Sequence, residues 1–242
     1  DYVFPNSGIA FTRFYSSGHA DSSSFGNQTH WMSNFDKNIK IYNASAISEG
    51  KDVVLTQSDR TSVRYKFVNN ALVAPDVIRD KILLQNNKYI VYRDDDNSIE
   101  TYGIDGKLEK IVDRGGLSTI LTYDSPAASS AEASSRKLIK ILDPFGFLLK
   151  LTYDNSNRLN QLILPDGNII KYSYEEQISL STNIKNGQLT SITRQDGTTK
   201  RYFYEYVYAQ PFFNNSLLTG IENELGQRVS IYSYDNTGGV ST

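Results

Sequence analysis

The stretch Arg136 to Asp154, RKLIKILDPFGFLLKLTYD, decides the fold, because its skeleton recurs on both sides of it. An aliphatic residue is followed by another three places on, a glycine five further and a tyrosine seven beyond the glycine: Leu138, Ile141, Gly146, Tyr153. The spacing returns as Leu108, Ile111, Gly116, Tyr123, as Leu159, Leu162, Gly167, Tyr174, and as Leu189, Ile192, Gly197, Tyr204. A last copy, Leu218, Ile221, Gly226, Tyr234, has one extra residue before its tyrosine. Successive copies begin 30, 21, 30 and 29 residues apart, the kind of period that marks a repeat architecture.

Two apolar residues three apart suit a helix as well as a hairpin, and the flanks choose between them. Asp143-Pro144-Phe145-Gly146, Pro165-Asp166-Gly167, Gln195-Asp196-Gly197 and Glu224-Leu225-Gly226 are turn sequences that leave too few residues for a helix. A glycine at a fixed place in each unit implies a fixed turn that needs positive φ. The arm after each glycine alternates as a strand does. Phe147, Leu149, Leu151 and Tyr153 share one face against Lys150 and Thr152; Ile170, Tyr172 and Tyr174 oppose Lys171 and Ser173; Lys200, Tyr202, Tyr204 and Tyr206 oppose Arg201 and Phe203. The arm before the glycine does not alternate so simply, and its leucine is expected at an entry bend. An isolated hairpin is marginal in water, so the units are expected to pair into one long, curved antiparallel sheet, an all-β fold with open edges.

The expected division is a β region over 1–87 that leads into hairpin repeats over 88–242, with a polar loop insertion at 124–136. Asp1 to about Ser17 reads as one alternating strand, Ser16 to Gln28 as a loop, and Trp31 as the anchor of a small core continued by Phe35, Ile39 and Ile41. Two arms around Ser58-Asp59-Arg60-Thr61 form a hairpin. Leu72 to Leu84 holds a short helix or irregular link beginning near Pro75. Lys88 to Tyr92 and Ser98 to Tyr102 bracket Asp94-Asp95-Asp96-Asn97, a unit with asparagine at the glycine position, since asparagine also tolerates left-handed backbone. Asn236 to Thr242 reads as the truncated start of another unit.

Composition narrows the function classes. With no cysteine among 242 residues there is no disulfide or thiol chemistry, and packing and hydrogen bonds are left as the stabilisers. Twenty-five basic against twenty-seven acidic residues argue against a strongly basic nucleic-acid surface. No apolar run approaches the ~20 residues that span a bilayer, so no membrane insertion is expected. The chain begins with Asp and is expected to be a piece of a longer protein.

The closings Leu121-Thr122-Tyr123-Asp124, Leu151-Thr152-Tyr153-Asp154, Tyr172-Ser173-Tyr174-Glu175 and Tyr232-Ser233-Tyr234-Asp235, with the openings Asn157-Arg158-Leu159 and Gly187-Gln188-Leu189, resemble the bacterial Rhs, or YD-repeat, family. Tyr202-Phe203-Tyr204-Glu205 departs from the pattern in its last residue. Gly8 to Ser16 and Trp31 to Asp36 are similar to the region that leads into the repeats in that family. The resemblance implies that the hairpins belong to a hollow β-shell enclosing a C-terminal toxin. It implies a secreted or cell-surface protein whose partners are the rest of its own chain, with further repeats and a toxin domain, and components of a secretion system. Relatives act in adhesion, so a carbohydrate-binding or adhesion module, with Tyr172 or Tyr202 stacking on sugar, is the alternative reading.

Neither a catalytic nor a metal or cofactor site is expected. His19 and His30 are the only histidines and lie eleven apart in a polar region. Asp94, Asp96, Ser98 and Glu100 alternate like a calcium loop but lack its central glycine and terminal bidentate glutamate, so a solvated turn is expected. Asp143-Pro144-Phe145-Gly146 is similar to the Asp-Pro-x-Gly motif at which Rhs shells are cut, yet it occupies an ordinary turn with more repeats after it, and is read as a turn.

Overall fold

The computed structural model describes residues 1–5, 9–16, 23–26, 29–41, 52–59, 61–127, 136–175, 187–209, 213–234 and 240–241. His19, most of the 124–136 insertion and most of the Asn236 to Thr242 segment lie outside them, as do the side chains of 205–216.

Every described element is a strand, a turn or an irregular link. Thirteen strands form one antiparallel sheet in strict sequence order. They are Lys81–Gln85, Lys88–Tyr92, Ile99–Gly103, Leu108–Val112, Ser118–Tyr123, Leu138–Leu142, Leu148–Tyr153, Leu159–Ile163, Ile169–Tyr174, Leu189–Thr193, Thr199–Ala209, Phe213–Glu222 and Arg228–Ile231. The first and last are edges, so the sheet does not close into a barrel. Strand neighbours in space are neighbours in sequence because each connection is a hairpin.

The hairpin turns repeat atom for atom. Gly146 N–H donates to Asp143 O while Asp143 N–H donates to Phe147 O, and the same pair of bonds joins Asp113 with Gly116 and Leu117, Arg194 with Gly197 and Thr198, and Asn223 with Gly226 and Gln227. The glycines sit at φ between 74° and 89°. A Cβ at Gly116, Gly146, Gly167, Gly197 or Gly226 would meet nothing within 4 Å, so backbone conformation alone demands glycine there. Asn97 and Asn157 occupy the equivalent left-handed place at φ 56° and 61° in their own turns.

The untidy first arm has a specific cause. Register slips by one residue where each closing tyrosine meets the next unit's leucine: Tyr123 faces Leu138 but Thr122 faces Lys140, and Tyr174 faces Leu189 but Ser173 faces Ser191. The same bulge sets Tyr102 against Leu108, Tyr153 against Leu159 and Tyr204 against Leu218. One extra residue, such as Ile139 or Thr190, restores the parity that three-apart spacing breaks. Leu138 and Ile141, and Leu189 and Ile192, are therefore buried on one face. The leucine belongs to the strand, opposite the bulge, and not to a bend before it.

One further expectation is corrected, and one left open between helix and irregular link is decided for the link. Asp1 to Ser17 is not one strand: Tyr2–Val3 pairs with Ala10–Phe11, and Arg13–Tyr15 follows separately. No helix forms over Leu72 to Leu84; Ala71–Val73 ends a four-stranded sheet with Asn38–Ile41, Val53–Thr56 and Ser62–Val68, a turn closes from Pro75 O to Ile78 N–H, and Lys81–Gln85 opens the long sheet. With β-branched and leucine-rich runs on both sides, one turn of helix had no apolar face to bury.

The chain divides into two compact units, one of residues 1–14 with 32–149 and one of 15–31 with 150–242.

Candidate functional site: the tyrosine joint and its cover

The repeat skeleton converges on one joint. In four of the five repeats the hydroxyl of the closing tyrosine donates to the main-chain carbonyl of the leucine that opened the same repeat: Tyr123 to Leu108 at 2.7 Å, Tyr174 to Leu159 at 2.7 Å, Tyr204 to Leu189 at 2.6 Å and Tyr234 to Leu218 at 2.7 Å. The bulge frees that carbonyl from the ladder, and the tyrosine satisfies it. Ring and hydroxyl thus act together, the ring packing on the buried face while the hydroxyl fixes where the repeat begins.

Of the twenty skeleton positions, Leu108, Leu138, Ile141, Leu159, Leu162, Leu189, Ile192 and Leu218 are buried; Ile111, Ile221 and the tyrosines Tyr123, Tyr153, Tyr174, Tyr204 and Tyr234 are half-buried; the five glycines hold turns. They meet as packing and hydrogen-bonding elements along the sheet. They form no cluster of acid, base and nucleophile.

In the unit of 15–31 with 150–242, the tyrosine face is covered by aromatics from the early segment. Phe25 stands edge-on to Tyr172 at 5.6 Å between ring centroids, and Trp31 edge-on to Tyr202 at 5.0 Å. Trp31 Nε1–H donates to Tyr204 Oη at 2.8 Å, so that hydroxyl accepts from the indole while donating to Leu189 O. Tyr15 packs on Trp31, and its hydroxyl accepts from Leu218 N–H at 2.9 Å. Burial pushes the Tyr15 hydroxyl well above the usual tyrosine range. Ser24 O takes Leu159 N–H at 2.8 Å. Tyr172 and Tyr202, the rings assigned to sugar stacking in the adhesion reading, are buried under this cover. Arg158, from the Asn-Arg-Leu opening, pairs with Asp154 at 2.8 Å and lies 4.5 Å from the Tyr174 ring centroid, which ties the closing aspartate of one repeat to the opening arginine and the tyrosine of the next.

The unit of 1–14 with 32–149 sets two ion pairs, each with a nearly fully buried carboxylate, against its tyrosines. Lys37 Nζ meets Glu100 Oε1 at 2.6 Å, and Tyr102 Oη donates to Glu100 Oε2 at 2.7 Å. Burial, joined by the Glu100 charge, drives the Tyr102 hydroxyl far up. Arg136 Nε donates to Asp105 Oδ2 at 2.6 Å, with side chains 5% and 0% exposed, and the guanidinium covers the Tyr123 ring at 4.5 Å. At Gly106, φ is +79° and a Cβ would fall 1.7 Å from Ile39 O, so both backbone and close approach require glycine. Phe35 stacks with Phe11 in this unit, while Trp31 serves the other aromatic cluster.

The calcium-like run does not gather. Asp80 Oδ1 accepts from Asp94 N–H, Asp96 Oδ1 caps Ser98 N–H, and Glu100 is turned into its lysine and tyrosine partners. Among the described residues no group of three or more His, Cys, Asp or Glu is placed to hold a metal ion. His30 is buried, with Nδ1 3.0 Å from Ser16 O. Asp143 Oδ1 accepts the Phe145 and Phe147 N–H groups, as the first residue of an ordinary repeat turn. A shallow depression of about 530 Å³ opens beside Lys88, Thr101, Glu109, Lys110 and Asp124, where Lys88 and Glu109 neutralise each other at 2.6 Å. No described helix is long and apolar enough to cross a membrane.

Sequence reasoning found the skeleton but missed Glu100, Asp105 and Arg136 as buried partners, and missed that residues 15–31 cover the tyrosines. Arg158 was legible from its place before an opening leucine. Arg136 sits at the end of a polar insertion and carried no such signal.

These features define a class: an open antiparallel sheet of tyrosine-locked hairpin repeats. Comparison with protein-family models and with curated proteins returns no match. Among solved structures, the chain is similar to a porin-like protein from Bacteroides uniformis, at 12% identity and a TM-score of 0.37, covering 85% of this chain and 92% of that one. It is also similar to a chain of a structure described as TcdB2-TccC3-TEV, at 13% identity and a TM-score of 0.31, covering 81% of this chain and 11% of that one. A third, described as TcdB2-TccC3-Cdc42, matches at 14% identity and a TM-score of 0.21, covering 84% of this chain and 14% of that one.

Proposed function

We propose that this chain is a wall segment of an Rhs-type β-shell, whose sheet screens a C-terminal toxin of the same polypeptide until delivery. The observation that carries the reading is the joint: a tyrosine hydroxyl locks the opening leucine carbonyl in each of four repeats, so hairpins add to the sheet by one reusable rule. Val229 and Ile231 lie exposed on the last strand and offer a further hairpin an apolar edge. A wall needs uniform, self-satisfied units and no reactive cluster, and that is the chemistry these repeats carry. Under this reading the protein is secreted or surface-exposed, its partners are further repeats, the toxin domain and secretion components, and it is not an enzyme.

The test is made on the full-length gene product. Electron cryomicroscopy is expected to reveal a hollow wall of continuous sheet, with the C-terminal domain protected from protease until the wall is opened. A reading frame without such a domain, or a domain digested equally fast with and without the wall, would overturn the proposal.

A further inference from the structure

The turn that starts the regular repeats meets the strand Asn38–Ile41 at one isolated antiparallel bridge, Asn38 opposite Lys107. Ile39 N–H donates to Gly106 O at 2.8 Å, the bond that flanks a non-hydrogen-bonded pair, and Lys107 spends its own N–H and C=O on Asp105 and Gly103. In such a pair the two side chains stand on the same face at their closest, with Cβ atoms about 5 Å apart. Gly106 lets the backbones approach this far, since any Cβ there would strike Ile39 O.

Both side chains are left unfinished. Asn38 Oδ1 is buried with no hydrogen-bond partner, while its Nδ2 makes only a 3.3 Å bond to Asp36 O. Lys107 has no hydrogen bond or ion pair to its ammonium among the described residues; its Nζ lies over the Tyr123 ring, 5.8 Å from the centroid. A buried amide oxygen without a donor, paired across two strands with a half-buried lysine whose ammonium has no acceptor, is uncommon in a folded protein.

We infer that Lys107 and Asn38 join in an intramolecular isopeptide bond. Lys107 Nζ, as the neutral amine, adds to Asn38 Cγ; the Cγ–Nδ2 bond then breaks, and Nδ2 leaves as ammonia with the proton that Nζ sheds. Asp36, Asp105, Arg136 and Asp124 are the charges acting on Lys107, and in this step the carboxyls of Asp36 and Asp105 would relay that proton. Desolvation lowers the Lys107 amine's affinity for its proton, against the opposing pull of those two carboxylates, which favours the nucleophilic form. Fixed juxtaposition raises the effective concentration of the amine at the amide carbon. In a chain without cysteine, the bond would tie the early strand to the first repeat turn as a disulfide does elsewhere, closing a long loop in the unfolded state.

Intact-mass spectrometry of the purified chain tests this. The expected mass is that of the sequence less one ammonia, and trypsin is expected to leave a branched peptide linking Asn38-Ile39-Lys40 to the segment containing Lys107, uncut after Lys107. Lys107→Arg keeps the charge but has no primary amine, and is expected to restore the full mass. Asn38→Asp would lose water instead and finish at the same cross-linked mass. A wild-type chain of full mass that trypsin cuts after Lys107 overturns the inference, as does an ammonia deficit that persists in Lys107→Arg.

Discussion

The two units close the same kind of buried sheet face by different physics. Residues 15–31 lay Tyr15, Phe25 and Trp31 on the rings of Tyr172, Tyr202 and Tyr204. In the other unit, Lys37 with Glu100 and Arg136 with Asp105 fill the corresponding need with ion pairs over Tyr102 and Tyr123. Aromatic cover gains from burial directly, whereas a buried ion pair must first offset the loss of hydration of both partners. The hairpin scaffold tolerates either solution because the turn and the tyrosine joint are satisfied within each repeat.

The comparison breaks most sharply at its two centres. Trp31→Ala removes the largest ring of the aromatic cover and orphans the Tyr204 acceptor bond, and is expected to cost about 4 kcal/mol in urea unfolding. A loss below about 1 kcal/mol would mean that the cover does not hold its unit together. Asp105→Ala removes the closer carboxylate of the buried Arg136 guanidinium and leaves it only Glu109 at 3.7 Å, for an expected loss of about 3 kcal/mol. If replacing both Asp105 and Arg136 by apolar residues restores stability, the pair serves specificity more than strength.

Smaller changes probe what the units share. Tyr174→Phe keeps the ring and strips the bond to Leu159 O, an expected loss of about 1 kcal/mol in the same assay. Gly197→Ala meets only backbone strain and is expected to cost about 1 kcal/mol, whereas Gly106→Ala adds a collision with Ile39 O and is expected to cost more. Equal losses at the two glycines would contradict the close approach of the Asn38 strand.

Alkaline pH acts on both units through their buried tyrosines. Burial raises the hydroxyls of Tyr89 and Tyr102, and pushes Tyr65 up to about 12, in the charged unit; burial likewise raises Tyr15 and Tyr234 in the aromatic one. A tyrosine whose folded pKa exceeds its unfolded value near 10 favours the folded state fully below about pH 10. Above that the unfolded chain ionises first, so stability is expected to fall as pH rises from about 10 to 12. Melting curves across that window, read by circular dichroism, check the sign; a flat profile would mean the hydroxyls are hydrated.

Much of this was legible in one dimension. Glycine at fixed φ-demanding places, period-two arms and the recurring tyrosine specify hairpins because each depends on a residue's own backbone or near neighbours. Asn97 could be placed in the left-handed region for the same reason. The three-apart leucines were a true signal of something irregular, and only the register showed it to be a bulge. The Asp1 to Ser17 strand was misjudged, and the Leu72 to Leu84 choice between helix and irregular link stayed open, because short apolar runs carry no record of the sheet that will accept them.

By itself, then, the sequence determined the repeating hairpin, its turn geometry and the absence of cysteine cross-links, all of which follow from local backbone preference and residue chemistry. Only the tertiary structure decided which distant side chains finish each buried face: Trp31 beside Tyr204, Arg136 on Asp105, Asn38 opposite Lys107. Those pairings bring together residues far apart along the chain, and burial energy is set by what surrounds a side chain in space, which no spacing along the chain encodes.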